Sequence, residues 1–179
     1  MNIILNSRIK LILTAIITFL ILGILLIEHF HGGVISHHLL HNKNLPKISN
    51  WWGALIIPVI SWLTLSLIQK ENLSNNKTQK QISKSQIYGF IGGFLFGVVM
   101  TISFYSQSEI HNYLLLLNFA FALFVPIYKP EYYLGFILSM AYGFGGILPV
   151  IFGLVLIAIY AIEYRLIRKG ILYILNKVK

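Results

Sequence analysis

Cysteine is missing from the chain altogether. That absence excludes disulfides, iron–sulfur clusters, thiolate metal sites and a catalytic thiol, so any metal bound here has nitrogen and oxygen ligands only. Charge is scarce as well. Charged residues make up 11 % of the 179 residues, against about 25 % in an ordinary soluble domain, and only five of them are acidic. Hydrophobic residues reach 57 % and the mean hydropathy is +0.78. Such a chain faces lipid or its own interior over most of its surface. The expected class is an all-α polytopic membrane protein, a single transmembrane domain over residues 1–179 with no separate soluble module. In that setting the net charge of +9 does not point to nucleic acid, because basic residues of a membrane protein mark its cytoplasmic side. Ten tyrosines and three tryptophans suit the aromatic belts at the two membrane faces.

Apolar runs divide the chain. Residues 11–27 exceed a typical signal-peptide core and no small-residue cleavage motif follows, so they read as a retained first span. Residues 53–68, with Pro58 as a potential kink, form the second, introduced by Trp51-Trp52 as an interfacial anchor. Residues 69–86 make a polar loop carrying Lys70, Lys77, Lys80 and Lys84. Residues 87–105 form the third span, and 113–125 a short fourth with Asn118 near its middle. Gly89, Gly93 and Gly97 lie four apart in the third span, with Thr101 continuing the row. That spacing puts them on one helix face, where small residues admit another helix closely. The face is expected to pack inside the bundle or against a second copy in a homo-oligomer.

Residues 131–164 are too long for one ordinary span, since about 20 residues suffice, and the sequence Gly143-Phe144-Gly145-Gly146-Ile147-Leu148-Pro149 interrupts them. Charge decides how to divide this stretch. If it is one long kinked helix, the chain has five spans and its fourteen basic residues split seven and seven between the two sides. If it is two short spans there are six, with twelve basic residues on the side of both termini and two, Lys43 and Lys47, on the other. The positive-inside rule selects the second arrangement. The expectation is a compact bundle of six short transmembrane helices in the cytoplasmic (inner) membrane of a bacterium, both termini and the 69–86 loop cytoplasmic.

The histidines fall on the opposite side. Residues 28–41 hold five of the six, with one of the five acids, inside an extracytoplasmic loop over 28–50. His111 sits beside Glu109 in another outward loop. Imidazole and carboxylate suit Zn, Cu, Fe, Ni or Mn, which makes His29, His31, His37, His38, His41 and His111 candidate ligands of a divalent metal. Glu28 and His31 are three apart and can share a helix face. Ser36 reads as the cap of a new helical turn that would stack His37 and His41. The H-E-x-x-H motif itself is absent, because no glutamate lies between those two histidines. His37-His38-x-x-His41 resembles one histidine box of the membrane desaturases and hydroxylases, but the chain lacks the further boxes, so no function is carried over from them.

Glu28 and Glu109 are the candidate general acid or base, at a boundary where desolvation favours the protonated form. The expected function is a small membrane protein with a metal-holding His/Glu site, acting on a lipid or other membrane-associated substrate by hydrolysis or oxidation, or handling the metal itself. Two other classes use the same residues differently. One is an oligomeric channel or transporter gated by histidine protonation. The other is a non-catalytic subunit of a membrane complex, its histidines merely hydrogen-bonding at the interface. Asn118 is expected to bond between helices, Glu163 to pair with Arg165, and Glu131 to sit at a helix N-terminus where its charge suits the dipole.

Overall fold

A computed structural model describes residues 4–34, 36–38, 47–74, 81–107 and 110–178. It is a helical bundle. Helix α1 spans Ser7–Phe30 and begins where Asn6 Oδ1 accepts from the Ile9 N–H at 2.9 Å. It stops at His31, because Gly32 and Gly33 follow at φ 124° and 98°, which a chain with side chains rarely adopts. Strands β1 (Ser36–His38) and β2 (Lys47–Ser49) pair antiparallel, and a 3-10 turn over Asn50–Trp52 leads into α2, Gly53–Ser74. Helix α3, Lys84–Tyr105, opens on a capping box in which the Ser83 and Gln86 side chains each accept from the other's backbone N–H. Helix α4 is Ile110–Ala122. Helix α5, Pro130–Phe144, has proline at its first turn and Glu131 beside it, as expected for a helix start. Helix α6, Ile147–Ile162, runs on through a π-helical turn at Glu163–Ile167 into α7, Arg168–Val178.

Residues 131–164 are thus divided into two helices at Gly145–Gly146, and α2 continues through Pro58 to end six residues later than hydropathy alone suggests. Among the described residues four helical stretches are long and apolar enough to cross a membrane: Ser7–Phe30, Asn50–Ser74, Lys84–Tyr105 and Ile147–Ile171. Helices α4 and α5 are shorter, thirteen and fifteen residues. At 1.5 Å per residue they reach only about 20 Å, against a hydrocarbon core of about 30 Å.

Helix α5 is the middle of the bundle. Ten of its fifteen residues are buried, against three of the twenty-four in α1, which lies at the edge. Two rows of small residues explain the close seating of α5 on α3. Gly89, Gly93 and Gly97 on α3 are all buried, and they face Gly135, Ser139 and Gly143 on α5, also four apart. A Cβ at Gly93 would land on the Tyr132 carbonyl oxygen, and one at Gly135 on the Phe90 carbonyl oxygen. Here backbone meets backbone, and any side chain would force the helices apart. The glycine row therefore packs inside the bundle, one of the two expected alternatives, with α5 on that face. Around this seam Phe96 stacks on Phe136, with ring centroids 5.9 Å apart, and Met100 and Ile137 are fully buried.

The two ends of the bundle differ in kind. At one, the start of α1 meets the end of α2. Lys10 Nζ donates to Ser66 Oγ (2.9 Å) and Gln69 Oε1 (3.3 Å) and lies over the Trp62 ring. Gln69 Nε2 donates to the Leu5 carbonyl, and Gln86 Nε2 to Asn72 Oδ1 at 2.9 Å. Lys129 pairs with Glu71 at 2.7 Å, the one ion pair among the described residues. Arg165 lies over the Tyr128 ring, so it does not make the expected pair with Glu163. Ile4 also bridges to Gln81 at this lysine end. The described histidines lie at the other.

Candidate functional site

Three segments far apart in sequence converge at the histidine end: the last turn of α1, the entry to α2, and the turn between α5 and α6. Glu28, on the last turn of α1, points one carboxylate oxygen, Oε2, into the protein, where it is buried and has no hydrogen-bond partner among the described residues. It lines a crevice with Asn50, Gly53, Gly145 and Gly146, floored by Ile57 and Ala141. The free space is about 10 Å³, close to what one water molecule needs.

The glycines account for the geometry. Gly145 adopts φ +71°, which side-chain-bearing residues rarely take, and a Cβ there would strike the Asn50 amide. Gly146 lies so close to Gly53 that a Cβ on it would meet the Gly53 Cα. Asn50 is itself buried, just before Trp51 and Trp52, which are exposed. The turn is held from a third side, where Tyr105 Oη donates to the Gly143 carbonyl at 2.8 Å. A carboxylate oxygen and an asparagine amide, brought together over bare backbone, form a small polar site in otherwise apolar surroundings. A buried carboxylate oxygen without a donor is stabilised by a proton or a cation.

None of the described histidine side chains lines this crevice. The His29 ring lies edge-on to Trp51 and Phe30, centroids 6.2 and 5.5 Å apart. His31 falls beyond the last residue of α1, and its Nδ1–H donates back to the Ile27 carbonyl at 2.9 Å. That bond ties His31 to the helix end rather than to Glu28, and leaves Nε2 as the nitrogen able to accept. His111 stacks on Phe104 (4.4 Å, 22°), which abuts Phe144 at the α5 terminus. Only the backbone of His37 and His38 is described. It is a strand, not the helical turn expected from Ser36, because residues 36–38 pair with 47–49: Ser36 opposite Ser49, His37 opposite Ile48, His38 opposite Lys47. The pairing brings this segment back alongside the strand that leads into Asn50. His41 and Glu109 lie outside the described residues. Among the described residues no three His, Asp or Glu side chains group as metal ligands.

Asn50 and Gly53 are the members that sequence reasoning did not select. Asn118, by contrast, bonds between helices as expected, donating to Tyr160 Oη at 2.7 Å. Comparisons with protein-family models, with curated proteins and with solved structures each return no match.

Proposed function

We propose that the chain is an integral membrane protein, six helices crossing or entering the cytoplasmic membrane with both termini on the cytoplasmic side, and that its extracytoplasmic histidine end binds a divalent metal ion anchored by Glu28. The observation that carries this reading is the buried, partnerless Oε2 of Glu28 in a crevice to which three separate segments contribute. A single carboxylate oxygen does not hold a transition metal. The remaining ligands come from the histidine-bearing segment, His29 and His31 at the helix end and His37 and His38 on β1, with His111 on the first turn of α4 and with His41 and Glu109, which lie outside the described residues. Beside a bilayer, such a centre acts on a lipid or membrane-associated substrate, or handles the metal itself.

Elemental analysis of the protein purified without chelator tests this, beside Glu28→Gln and a His37→Ala/His41→Ala variant. Metal near one per chain, lost in both variants, is the expected result. Metal-free wild type overturns it. Flux across reconstituted vesicles that depends on pH would then mark the histidine-gated channel. The bundle lends that second reading less support, because Phe136, Ile137 and Met140 of α5 fill its middle.

A further inference from the structure

A second buried carboxylate lies at the lysine end, and it closes a cleft. Helix α1 packs on α2 and α3 packs on α5, so α1 and α3 stand apart over the α5 surface. Between them is an apolar cleft of about 530 Å³, walled by Ile17 and Leu20 of α1 and by Phe90 and Phe94 of α3, and floored by Leu134 and Leu138 of α5. The volume falls within the range of about 300–1,000 Å³ typical of small-molecule sites. Along α1 the lining runs from Leu13 to Ile24, about 16 Å at 1.5 Å per residue, so the space is long and narrow. Its rim faces outward, Leu20 being 62 % exposed, and in the proposed bilayer it opens sideways into hydrocarbon.

A gap that merely accommodates acyl chains needs no polar end, yet this one has one. Glu131 is 2 % exposed, lines the cleft, and its Oε2 has no hydrogen-bond partner among the described residues. Gln86, the other polar residue that lines the cleft, donates to Asn72 and accepts from the Ser83 N–H, and Lys129 is held by Glu71. Room for the Glu131 side chain comes from Gly89, where a Cβ would press on the Glu131 Cγ. Among the described residues that line the cleft, the one polar side-chain atom without a partner is thus a carboxylate oxygen, a hydrogen-bond acceptor.

We infer that this cleft binds a single-chain amphiphile of the membrane whose head donates a hydrogen bond, a long-chain alcohol or amine, with the head on Glu131 and the chain lying between α1 and α3. Phosphate and carboxylate heads are disfavoured there, because they bring acceptors and negative charge to a buried carboxylate. The inference rests on the membrane setting proposed above but not on a metal at Glu28, so protein that proves metal-free still tests it.

The test is equilibrium binding of radiolabelled hexadecan-1-ol, hexadecylamine, hexadecanoate and hexadecyl phosphate to the full-length protein in lipid nanodiscs. The expected result is saturable binding near one per chain, with a donor head favoured about tenfold over the two acidic heads, the scale of one hydrogen bond to a charged group. Preference for the amine identifies an ammonium on an ionised carboxylate, and equal binding of amine and alcohol a plain hydrogen bond. Glu131→Gln removes the preference while chain binding persists. Leu20→Trp, on the exposed rim, blocks all four probes without touching the core. Equal binding of the four heads to the wild type, no saturable binding, or full binding to Leu20→Trp would each overturn the inference.

Discussion

The histidine and lysine ends of the bundle each bury a carboxylate oxygen without a hydrogen-bond partner, and they do so by opposite means. Glu28 sits on α1, the most peripheral of the long helices, and its surroundings are shaped by bare backbone at Gly53, Gly145 and Gly146. Glu131 sits on α5, the central helix, and its surroundings are tied by side chains: Lys10 to Ser66 and Gln69, Gln86 to Asn72, Lys129 to Glu71. Bonds between polar side chains lock the lysine end into one arrangement. The histidine end depends on close approach of turns, with few side-chain cross-links among the described residues, and it presents its polar groups outward. The first construction suits a rigid receptacle. The second suits a site completed by something that binds.

Breaking the shared scaffold should abolish both ends together. Gly93→Leu drives a side chain into the Tyr132 carbonyl, and its cost is expected at or above the usual overpacking range of about 1–3 kcal/mol, read as a large fall in Tm in detergent. Gly23→Leu is its control. A Cβ there meets nothing within 4 Å, and Tm should move by no more than a surface change of about 0.5 kcal/mol would allow.

Gly145→Ala separates the ends. Forcing a side chain into φ +71° costs about 1–3 kcal/mol, and the new Cβ displaces Asn50. Amide hydrogen exchange should quicken in residues 28–33 and 50–53, while protection around 69–74 and 84–89 is retained. Asn72→Leu makes the reciprocal change. It strands the buried Gln86 amide but also removes the Asn72 Nδ2 donor, which has no partner, so a loss of about 1 kcal/mol is expected, with faster exchange confined to the lysine end.

The smallest effect comes from Lys129→Met. The hydrogen bond that Lys129 donates to Glu71 holds its ammonium above the usual value of 10.5, against the opposing pull of burial. A lysine whose folded-state pKa is raised contributes stability fully below its unfolded pKa and loses it as pH rises through the folded value. Wild type should therefore lose stability relative to Lys129→Met only on the alkaline side, above about pH 10, by less than about 1 kcal/mol for a partly exposed pair. A difference between the two proteins that changes near neutral pH would show that another group controls the lysine end.

Much of the architecture was legible because it is local. Hydropathy marked every long helix, and Glu131 was expected at a helix start, where α5 begins; the first turn of α3 was assigned instead to the polar 69–86 loop, although Ser83 caps it. The glycine row of α3 was legible as a packing face from its spacing alone. Its partner on α5 was harder to see, because Ser139 stands in the middle position between Gly135 and Gly143. The strand at 36–38 was misread as a helical turn because the residues that make it a strand, 47–49, come nine residues later, and short-range propensity cannot anticipate that pairing. Of the candidate site, Glu28 was legible as an acid next to a histidine cluster, while Asn50 was not, since nothing near it in the chain indicates that a glycine turn about a hundred residues later packs on its amide.

By itself the sequence determined the apolar helical character of the chain, the end of α1 at the Gly32–Gly33 pair and the break at Gly145–Gly146. These follow from hydropathy and backbone freedom, which act over one or two turns. Only the tertiary structure decided that α5 lies at the centre and α1 at the edge, that the α3 glycines face α5 rather than a second chain, and that Glu28 and Glu131 each bury an oxygen without a partner. Those outcomes depend on which backbones can approach without a Cβ between them, a property of pairs of segments that neither segment carries alone.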